Sequence, residues 1–377
     1  MMTNPRAYFD NAATSFPKPP EVGREMTRYF SEIGGTYGRS SHGPSLEVSR
    51  MIESLRDRMA GMLGTTLNAN VLFTHNATIG LNLALFGYLQ GGETVYTSAL
   101  EHNATMRPLH ALAQHRGVDL RILPSHADGS IHVERLGEVA AQHPKLLVVN
   151  HVSNVNGVIQ PLCEIHKRIP DAVLLIDASQ SLGAVSVRAD EWKLDALAWT
   201  GHKSLLGPTG VGGLFLRDPE QCTPLIYGGT GSRSKEFAMP EFPPDRFEAG
   251  TPNIAGLIGL AAAIEHVPGC AHSNADWLEF IGMLRSIPGI RILAAMDSTK
   301  QGKVVSVSHD TLSVSEIGDA LWHGHGIAVR VGLHCAPLAH RTLGTFPAGT
   351  LRFSPSVFHE RSDFDFVFRA LSEVCRQ

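Results

Sequence analysis

The sequence has few cysteines, little net charge and no long apolar run. Its cysteines are odd in number, scattered and without a Cys-x-x-Cys pair: Cys163, Cys222, Cys270, Cys335 and Cys375. This usage predicts free thiols in a reducing cytoplasm and argues against a disulfide framework. No apolar run approaches the length of a membrane span, and the amino terminus lacks a basic stretch followed by an apolar one. We therefore expect a cytoplasmic protein without a membrane partner, and we predict no metal site.

The charge balance also limits the possible partners. The chain carries 32 basic and 36 acidic residues, a formal net charge of −4, so nothing suggests a nucleic-acid partner. Its 377 residues, 43% hydrophobic and 18% charged, are ordinary for a globular protein with a large core and more than one domain.

Short apolar runs alternate with helical patterns, which predicts an α/β fold with a mostly parallel sheet between helices. The clearest strands are Lys145–Asn150, Ala172–Asp177, Leu194–Thr200 and Gly212–Arg217. The stretch 227–252 is rich in Gly, Pro and Ser and has no period, which predicts a long loop. We expect a large domain over 16–253 and a smaller C-terminal α/β domain over 254–377, joined by the N-terminal segment 1–15.

Polar residues interrupt the apolar strands at their carboxyl ends, where open α/β sheets bind ligands. Asp177 ends one strand, Thr200 ends the next, and Lys203 follows three residues later. Taken singly, a helix-capping aspartate and a surface lysine would be the better interpretation. Together they suit pyridoxal 5'-phosphate (PLP), which needs a lysine for a Schiff base and a carboxylate for its pyridine nitrogen. The sequence thus predicts a PLP enzyme with its cofactor on Lys203.

Further polar residues are placed to hold the same cofactor. Thr78, with Ala77 before it, opens a predicted helix whose free N–H groups suit a phosphate. Thr200 and His202 flank the lysine and are placed for that phosphate as well.

The pyridine ring has its own set of candidate residues. His102 follows an apolar segment and can stack on the ring, although alone it would be an ordinary loop histidine. Asn154 and Gln180 lie just past strand ends, within reach of the ring hydroxyl.

Motifs along almost the whole chain resemble cysteine desulfurases of the class V aminotransferase group, which have PLP fold type I. The matching pieces are YFDNAAT at 8–14, Glu101-His102, HVSNVNG at 151–157, DASQ at 177–180, TGHK at 200–203, FEAGTPN at 247–253 and RVGLHCA at 330–336. The chain departs from the better-known desulfurases at Asn76-Ala77-Thr78, in place of Gly-Thr-Thr, and at Asn103, in place of a second histidine.

The resemblance implies roles for the binding residues. Lys203 would carry the Schiff base and Asp177 would pair with the pyridine nitrogen. Thr251 would complete the phosphate site of the partner subunit, which implies a homodimer. Arg352 would bind the substrate carboxylate with its planar fork, and Arg330 and Asn154 belong to the same region.

Cys335 would be the nucleophile that takes sulfur from L-cysteine as a persulfide, releases L-alanine and passes the sulfur to an acceptor protein. Its neighbour His334 and Arg330 upstream give it an electropositive setting. A buried, inert cysteine is the alternative. Glycines and prolines between Cys335 and Arg352 predict a loop that carries the thiol to the substrate. A selenocysteine lyase, a C–S lyase without a persulfide and a non-catalytic sulfur-relay scaffold are the other functions considered.

Overall fold

The computed structural model describes residues 5–38 and 40–376, so residues 1–4 of the predicted N-terminal segment lie outside the described part. Its α-helices are α1 (Pro20–Arg28), α2 (Gly43–Leu63), α3 (Ala77–Tyr88), α4 (Asn103–Arg116), α5 (Leu136–Ala140), α6 (Leu162–Arg168), α7 (Ile254–Glu265), α8 (Asn274–Leu284), α9 (Val314–His325), α10 (Pro337–Thr342) and α11 (Arg361–Val374). Among the described residues, no helix is both long enough and apolar enough to cross a bilayer.

The strands form a large, a small and a two-stranded sheet. They are β1 (Ala7–Tyr8), β2 (Val71–Thr74), β3 (Thr94–Thr97), β4 (Asp119–Ile122), β5 (Leu146–Asn150), β6 (Val173–Asp177), β7 (Ala196–Thr200), β8 (Gly212–Leu216), β9 (Ile290–Leu293), β10 (Val305–His309), β11 (Ile327–Ala328), β12 (Arg330–Gly332) and β13 (Thr350–Phe353).

The large sheet has seven strands in the order β2-β8-β7-β6-β5-β3-β4. Only β8 runs antiparallel to its neighbours, β2 and β7, and the other pairs are parallel. The mostly parallel sheet predicted from the sequence is therefore confirmed. Because parallel strands share a direction, the carboxyl ends of β5, β6 and β7 meet at one edge of the sheet.

The apolar sequence of the central strands follows from burial on both faces. Along β6, Leu174 and Ile176 pack into a core shared with α2 and α7, whereas Leu175 packs into a second core with α3 and α4. Successive strand residues point to opposite faces, so a strand covered on both sides has no position for an alternating polar residue. Polar residues then fall at the strand ends.

The small sheet is antiparallel, in the order β12-β13-β10-β9, and it packs on α8, α9 and α11. The chain changes sheets at Val329, because β11 pairs with β1 of the N-terminal segment while β12 pairs with β13. This arrangement brings the N-terminal segment against the C-terminal part of the chain. The domain boundary between residues 253 and 254 stays a prediction.

The predicted long loop is confirmed, since no helix or strand lies between the 3₁₀ turn that ends at Gln221 and the start of α7. Its far end is anchored by Glu248. The carboxylate accepts hydrogen bonds from the buried Arg56 Nη1 (2.8 Å) and from the Phe73 backbone N–H (2.7 Å). A paired, hydrogen-bonded charge of this kind fixes the segment that leads to Thr251.

Candidate active site

The ends of three parallel strands build the floor of a cavity. Asp177 ends β6, and Thr200 ends the adjacent β7, three residues before Lys203. Asn150 ends β5 on the other side and lies opposite Asp177 in the register. At this edge the side chains enclose a cavity of about 270 Å³.

The cavity gathers most of the residues proposed from the sequence, which come from the large sheet, the small sheet and the first turns of α3 and α4. Its lining includes Ala77, Thr78, His102, Asn154, Asp177, Gln180, Thr200, His202, Lys203, Arg330, Cys335 and Arg352. Thr251 is not among them. It is exposed and lines a separate cavity with Thr74 and His75. If Thr251 helps to hold a cofactor in the cavity that contains Lys203, it would do so from a second subunit.

Lys203 and Asp177 are the ionisable pair at the floor of the cavity. Burial lowers the pKa of the Lys203 amine to about 8, although the nearby Asp177 carboxylate opposes this shift. The lowered pKa increases the neutral amine fraction, which is the nucleophilic form. The backbone N–H and hydroxyl of Ser179 both donate to Asp177 Oδ1, which fixes the orientation of the carboxylate.

The first turn of α3 lies at the cavity with its amides available. Asn76 caps the helix, its Oδ1 accepting from the Ile79 N–H at 3.0 Å, so the amides of Ala77 and Thr78 are the first two of the helix. Such amides lack intrahelical partners and attract anions. Gly212 permits the close approach of β8, because a Cβ there would lie 2.7 Å from Asn76 backbone atoms.

Other polar atoms in the cavity lining also lack a hydrogen-bond partner among the described residues. Thr200 Oγ1, His202 Nδ1 and Asn154 Oδ1 are buried and have no hydrogen-bond partner among the described residues. Buried polar atoms are normally satisfied in native proteins, so orphans of this kind point to a ligand. Together with the first turn of α3, the Thr200 and His202 atoms suit a phosphate group.

His102 is held as a neutral imidazole. It caps α4, and its Nδ1 accepts from the Ala104 N–H at 3.0 Å. Burial lowers the pKa of His102 to about 4, against the opposing effect of Asp177. Because Nδ1 is an acceptor, the proton of the neutral ring resides on Nε2.

Two arginines come together from the small sheet. Arg330 and Arg352 are cross-strand neighbours on β12 and β13, and Arg352 is only 2% exposed. Asp10 Oδ1 accepts from Arg352 Nη2 at 2.6 Å, and the Asn154 carbonyl accepts from Nη1 at 3.1 Å. Arg352 Nε is buried and has no partner among the described residues. Asp10 belongs to the motif YFDNAAT, but the sequence alone assigned it no role.

Cys335 lies beyond the end of β12, and its side chain is exposed. His334 and Cys335 both adopt left-handed backbone conformations, with φ of 48° and 56°. Both carbonyls are tied down, because the Asn103 N–H donates to the Cys335 carbonyl (2.7 Å) and Asn154 Nδ2 donates to the His334 carbonyl (2.8 Å). A strained backbone conformation that is held in place by several contacts is typical of functional sites.

The predicted loop between Cys335 and Arg352 is wrong in part. The helix α10 begins at Pro337, two residues after the thiol, because proline is favoured in the first turn of a helix. The thiol therefore lies between a turn with two tethered carbonyls and the start of a helix.

Comparison with known proteins assigns the family. The model of the aminotransferase class-V family matches residues 7–367. The chain belongs to this family. It is 31% identical to a probable cysteine desulfurase of Chlamydia muridarum, over 99% of this chain and 96% of the relative. It superposes on the apo cysteine desulfurase of Thermococcus onnurineus NA1 with a TM-score of 0.90 and 28% identity, covering 98% and 94% of the two chains. It superposes on a cysteine desulfurase of Escherichia coli with a TM-score of 0.85 and 27% identity, covering 98% of this chain and 94% of the other.

Membership of the class-V family implies PLP as the cofactor, and the residues of the cavity fit it. The fit rests on the lysine and aspartate at adjacent strand ends and on the orphaned polar atoms around the first turn of α3. The resemblance drawn from the motifs is confirmed, as is the fold class.

Proposed function

We propose that the protein is a PLP-dependent cysteine desulfurase. In the overall reaction, L-cysteine and the Cys335 thiol give L-alanine and a persulfide on Cys335. The observation that carries the proposal is that the exposed Cys335 thiol lines the same cavity as Lys203 and Arg352. A nucleophile, a cofactor-holding amine and a carboxylate-binding guanidinium thus face one small volume.

The large sheet and α3 supply the residues that would hold the cofactor. Lys203 would bind it covalently, and Asp177 would keep the pyridine nitrogen protonated. The amides of Ala77 and Thr78, with Thr200 and His202, would bind the phosphate, and Gln180 and Asn154 would contact the ring hydroxyl. When bound, PLP supplies an electron sink that labilises bonds next to the amino-acid Cα.

Arg352 would bind and orient the substrate carboxylate. Its Nη2 is paired with Asp10, which holds the guanidinium plane, while its buried Nε is unpartnered. A substrate carboxylate would satisfy this donor in a setting where charge-assisted hydrogen bonds are strong. Arg330 adds a second positive charge from the adjacent strand.

Two groups would handle protons beside the substrate. The pKa of Lys203, lowered by burial to about 8, suits an amine that exchanges a proton near neutral pH. His102, neutral and carrying its proton on Nε2, would stack on the ring and act as a donor at the same site.

Cys335 would perform the sulfur transfer. Its thiolate attacks the substrate sulfur, so that the Sγ–S bond forms as the Cβ–S bond breaks. The electron pair of the broken bond stays with the carbon fragment, which gains a proton at Cβ and leaves as L-alanine. The sulfur is retained on an exposed residue, where we propose that an acceptor protein collects it.

Cys335→Ala and Cys270→Ala provide a matched test, because both thiols are exposed and only Cys335 lines the cavity. We expect Cys335→Ala to lose alanine formation from L-cysteine while retaining bound PLP. Cys270→Ala should form alanine at the parental rate. Turnover of cysteine by Cys335→Ala at the parental rate would contradict the proposal and favour a C–S lyase that needs no persulfide.

A further inference from the structure

A second acidic side chain lies buried behind the cavity and has no role in the proposed reaction. Glu101 is 0% exposed and follows β3, directly before His102. Its Oε1 accepts from the Asn150 N–H at 2.6 Å and lies 2.7 Å from Ser98 Oγ. Its Oε2 is buried and has no hydrogen-bond partner among the described residues. No described lysine, arginine or histidine forms an ion pair with it.

The hydrogen-bond distances around Ser98 favour a proton on Glu101. Ser98 Oγ lies 2.7 Å from Glu101 Oε1 and 2.9 Å from Asn150 Oδ1, and both of those atoms are oxygens. The orientation of the Asn150 amide is fixed, because its Nδ2 donates to the Leu100 carbonyl at 2.8 Å. A serine hydroxyl has one proton, which can satisfy only one of these two contacts. The second contact is satisfied if Glu101 is a carboxylic acid.

The charges around Glu101 also favour its protonated form. Burial and, to a smaller extent, the negative charge of Asp177 on β6 raise the pKa of Glu101 to about 8. The Ser98 and Thr105 hydroxyls and the Asn150 N–H oppose the shift. On α4 the neighbouring His102 is neutral, because burial lowers its pKa. Lys203 is the cation beside Asp177, and no described cation pairs with Glu101, so a second ionised carboxylate here would be uncompensated.

We infer that Glu101 is a positioning residue that the folded enzyme keeps as a neutral acid. In this form it holds Asn150, which lines the cavity, and fixes the turn that leads to His102. A neutral Glu101 also places no negative charge next to Asp177, so the Asp177 carboxylate remains available to pair with the pyridine nitrogen. The consequence for the cofactor rests on the proposed function, whereas the protonation of Glu101 does not.

Protonation of Glu101 predicts the sign of a stability change. The pKa of Glu101 in the folded protein is above that of an unfolded glutamate, so the neutral acid stabilises the fold at low pH. That stability is lost as the pH rises towards the folded-state value. Between about pH 5 and 8 the folded state then holds one more proton than the unfolded state, which changes the folding constant about tenfold per pH unit.

The first test is urea unfolding of the parent, Glu101→Gln and the control Glu220→Gln across this pH range. Glutamine has the shape of the neutral acid and cannot ionise, and Glu220 is exposed. Relative to Glu101→Gln, the folding constants of the parent and of Glu220→Gln should fall about tenfold per pH unit from about pH 5 to 8. Parallel curves for all three proteins would overturn the inference.

A second measurement decides the case in which Glu101→Gln does not fold. Infrared difference spectra of Asp195→Asn between about pH 6 and 9.5 should show the loss of a protonated carboxyl band, since exposed acids are already ionised at the lower pH. Asp195 is replaced because burial raises the pKa of this other carboxyl as well. An absolute spectrum at about pH 6 that lacks a protonated carboxyl band would show an ionised Glu101 and overturn the inference.

The third test reports the charge of Glu101 at the cofactor. Glu101 is neutral below about pH 8, so in that range Glu101→Gln should leave the pH dependence of the absorbance of bound PLP as in the parent. A curve displaced to lower pH within that range would show that an anion had been removed, which contradicts the inference. If no PLP binds at all, the proposed function fails, while the unfolding and infrared tests still decide the protonation of Glu101.

Discussion

Lys203 is the residue on which the cofactor assignment depends. We expect Lys203→Ala to lose the borohydride-reducible link between protein and PLP, because no other lysine in the described part of the chain lines the cavity at the Asp177 edge. Lys18→Ala is a close control. Burial also lowers the pKa of Lys18 to about 8, yet this lysine binds Ser15 outside the cavity. Peptide mass spectrometry of the reduced proteins locates the link. A link at another lysine in Lys203→Ala would show that the assignment is wrong.

The residues of the site could be named from the sequence to different extents. Lys203 and Asp177 were accessible because they end apolar runs, and the end of a buried strand is a position that a sequence pattern shows directly. Asp10 and Glu101 were quoted within motifs but received no role. Their importance comes from partners far along the chain, Arg352 for Asp10 and Asn150 for Glu101, and no local pattern reports such contacts.

At the scale of single elements, the first turn of α3 tests the predicted phosphate site. Asn76→Ala removes the side-chain acceptor of the Ile79 amide, which should destabilise the protein by about 1 kcal/mol. It should also weaken PLP binding, because the amides of Ala77 and Thr78 lose their fixed orientation. Asn76→Asp is the matched variant, since it keeps the cap but adds a negative charge beside the site.

Denaturant unfolding and PLP titration separate the two effects of Asn76. Asn76→Asp should keep the parental stability and lose PLP affinity through repulsion of the phosphate. If both variants bind PLP as the parent does, the phosphate is not at the start of α3.

The elements around Cys335 show where sequence patterns mislead. Prolines and glycines between Cys335 and Arg352 suggested a loop, but Pro337 occupies the first position of α10, where its fixed backbone angle favours the helix. The short run Ile327–Val331 is shared between two strands, β11 and β12. Its two parts find different partners, β1 and β13, and that choice is tertiary.

At the scale of the whole molecule, Thr251 raises the question of a second subunit. It lies at the end of the long loop anchored by Arg56 and Glu248, and it is outside the cavity that holds Lys203. We propose that it completes the phosphate site of a partner in a homodimer. Thr251→Val should then bind PLP weakly and, like Lys203→Ala, be inactive by itself.

Hybrid dimers test this proposal directly. When Lys203→Ala and Thr251→Val are mixed and allowed to exchange subunits, each hybrid has one complete site, so roughly one quarter of the parental activity should return for a two-fold symmetric dimer. Alanine release reports the activity, and size-exclusion chromatography reports the dimer. A monomeric protein with full PLP occupancy would contradict the proposal, as would the absence of any recovery in mixed dimers.

The location of the transferred sulfur decides whether Cys335 is the nucleophile. Purified, PLP-loaded protein receives one equivalent of L-cysteine without an acceptor thiol, and peptide mass spectrometry then locates any added sulfur. We expect one extra sulfur atom on the peptide that contains Cys335, none on the peptide that contains Cys270, which is also exposed, and an amount of alanine equal to that of the added sulfur. Alanine or free sulfide released with no sulfur on Cys335 would contradict the proposed role of Cys335.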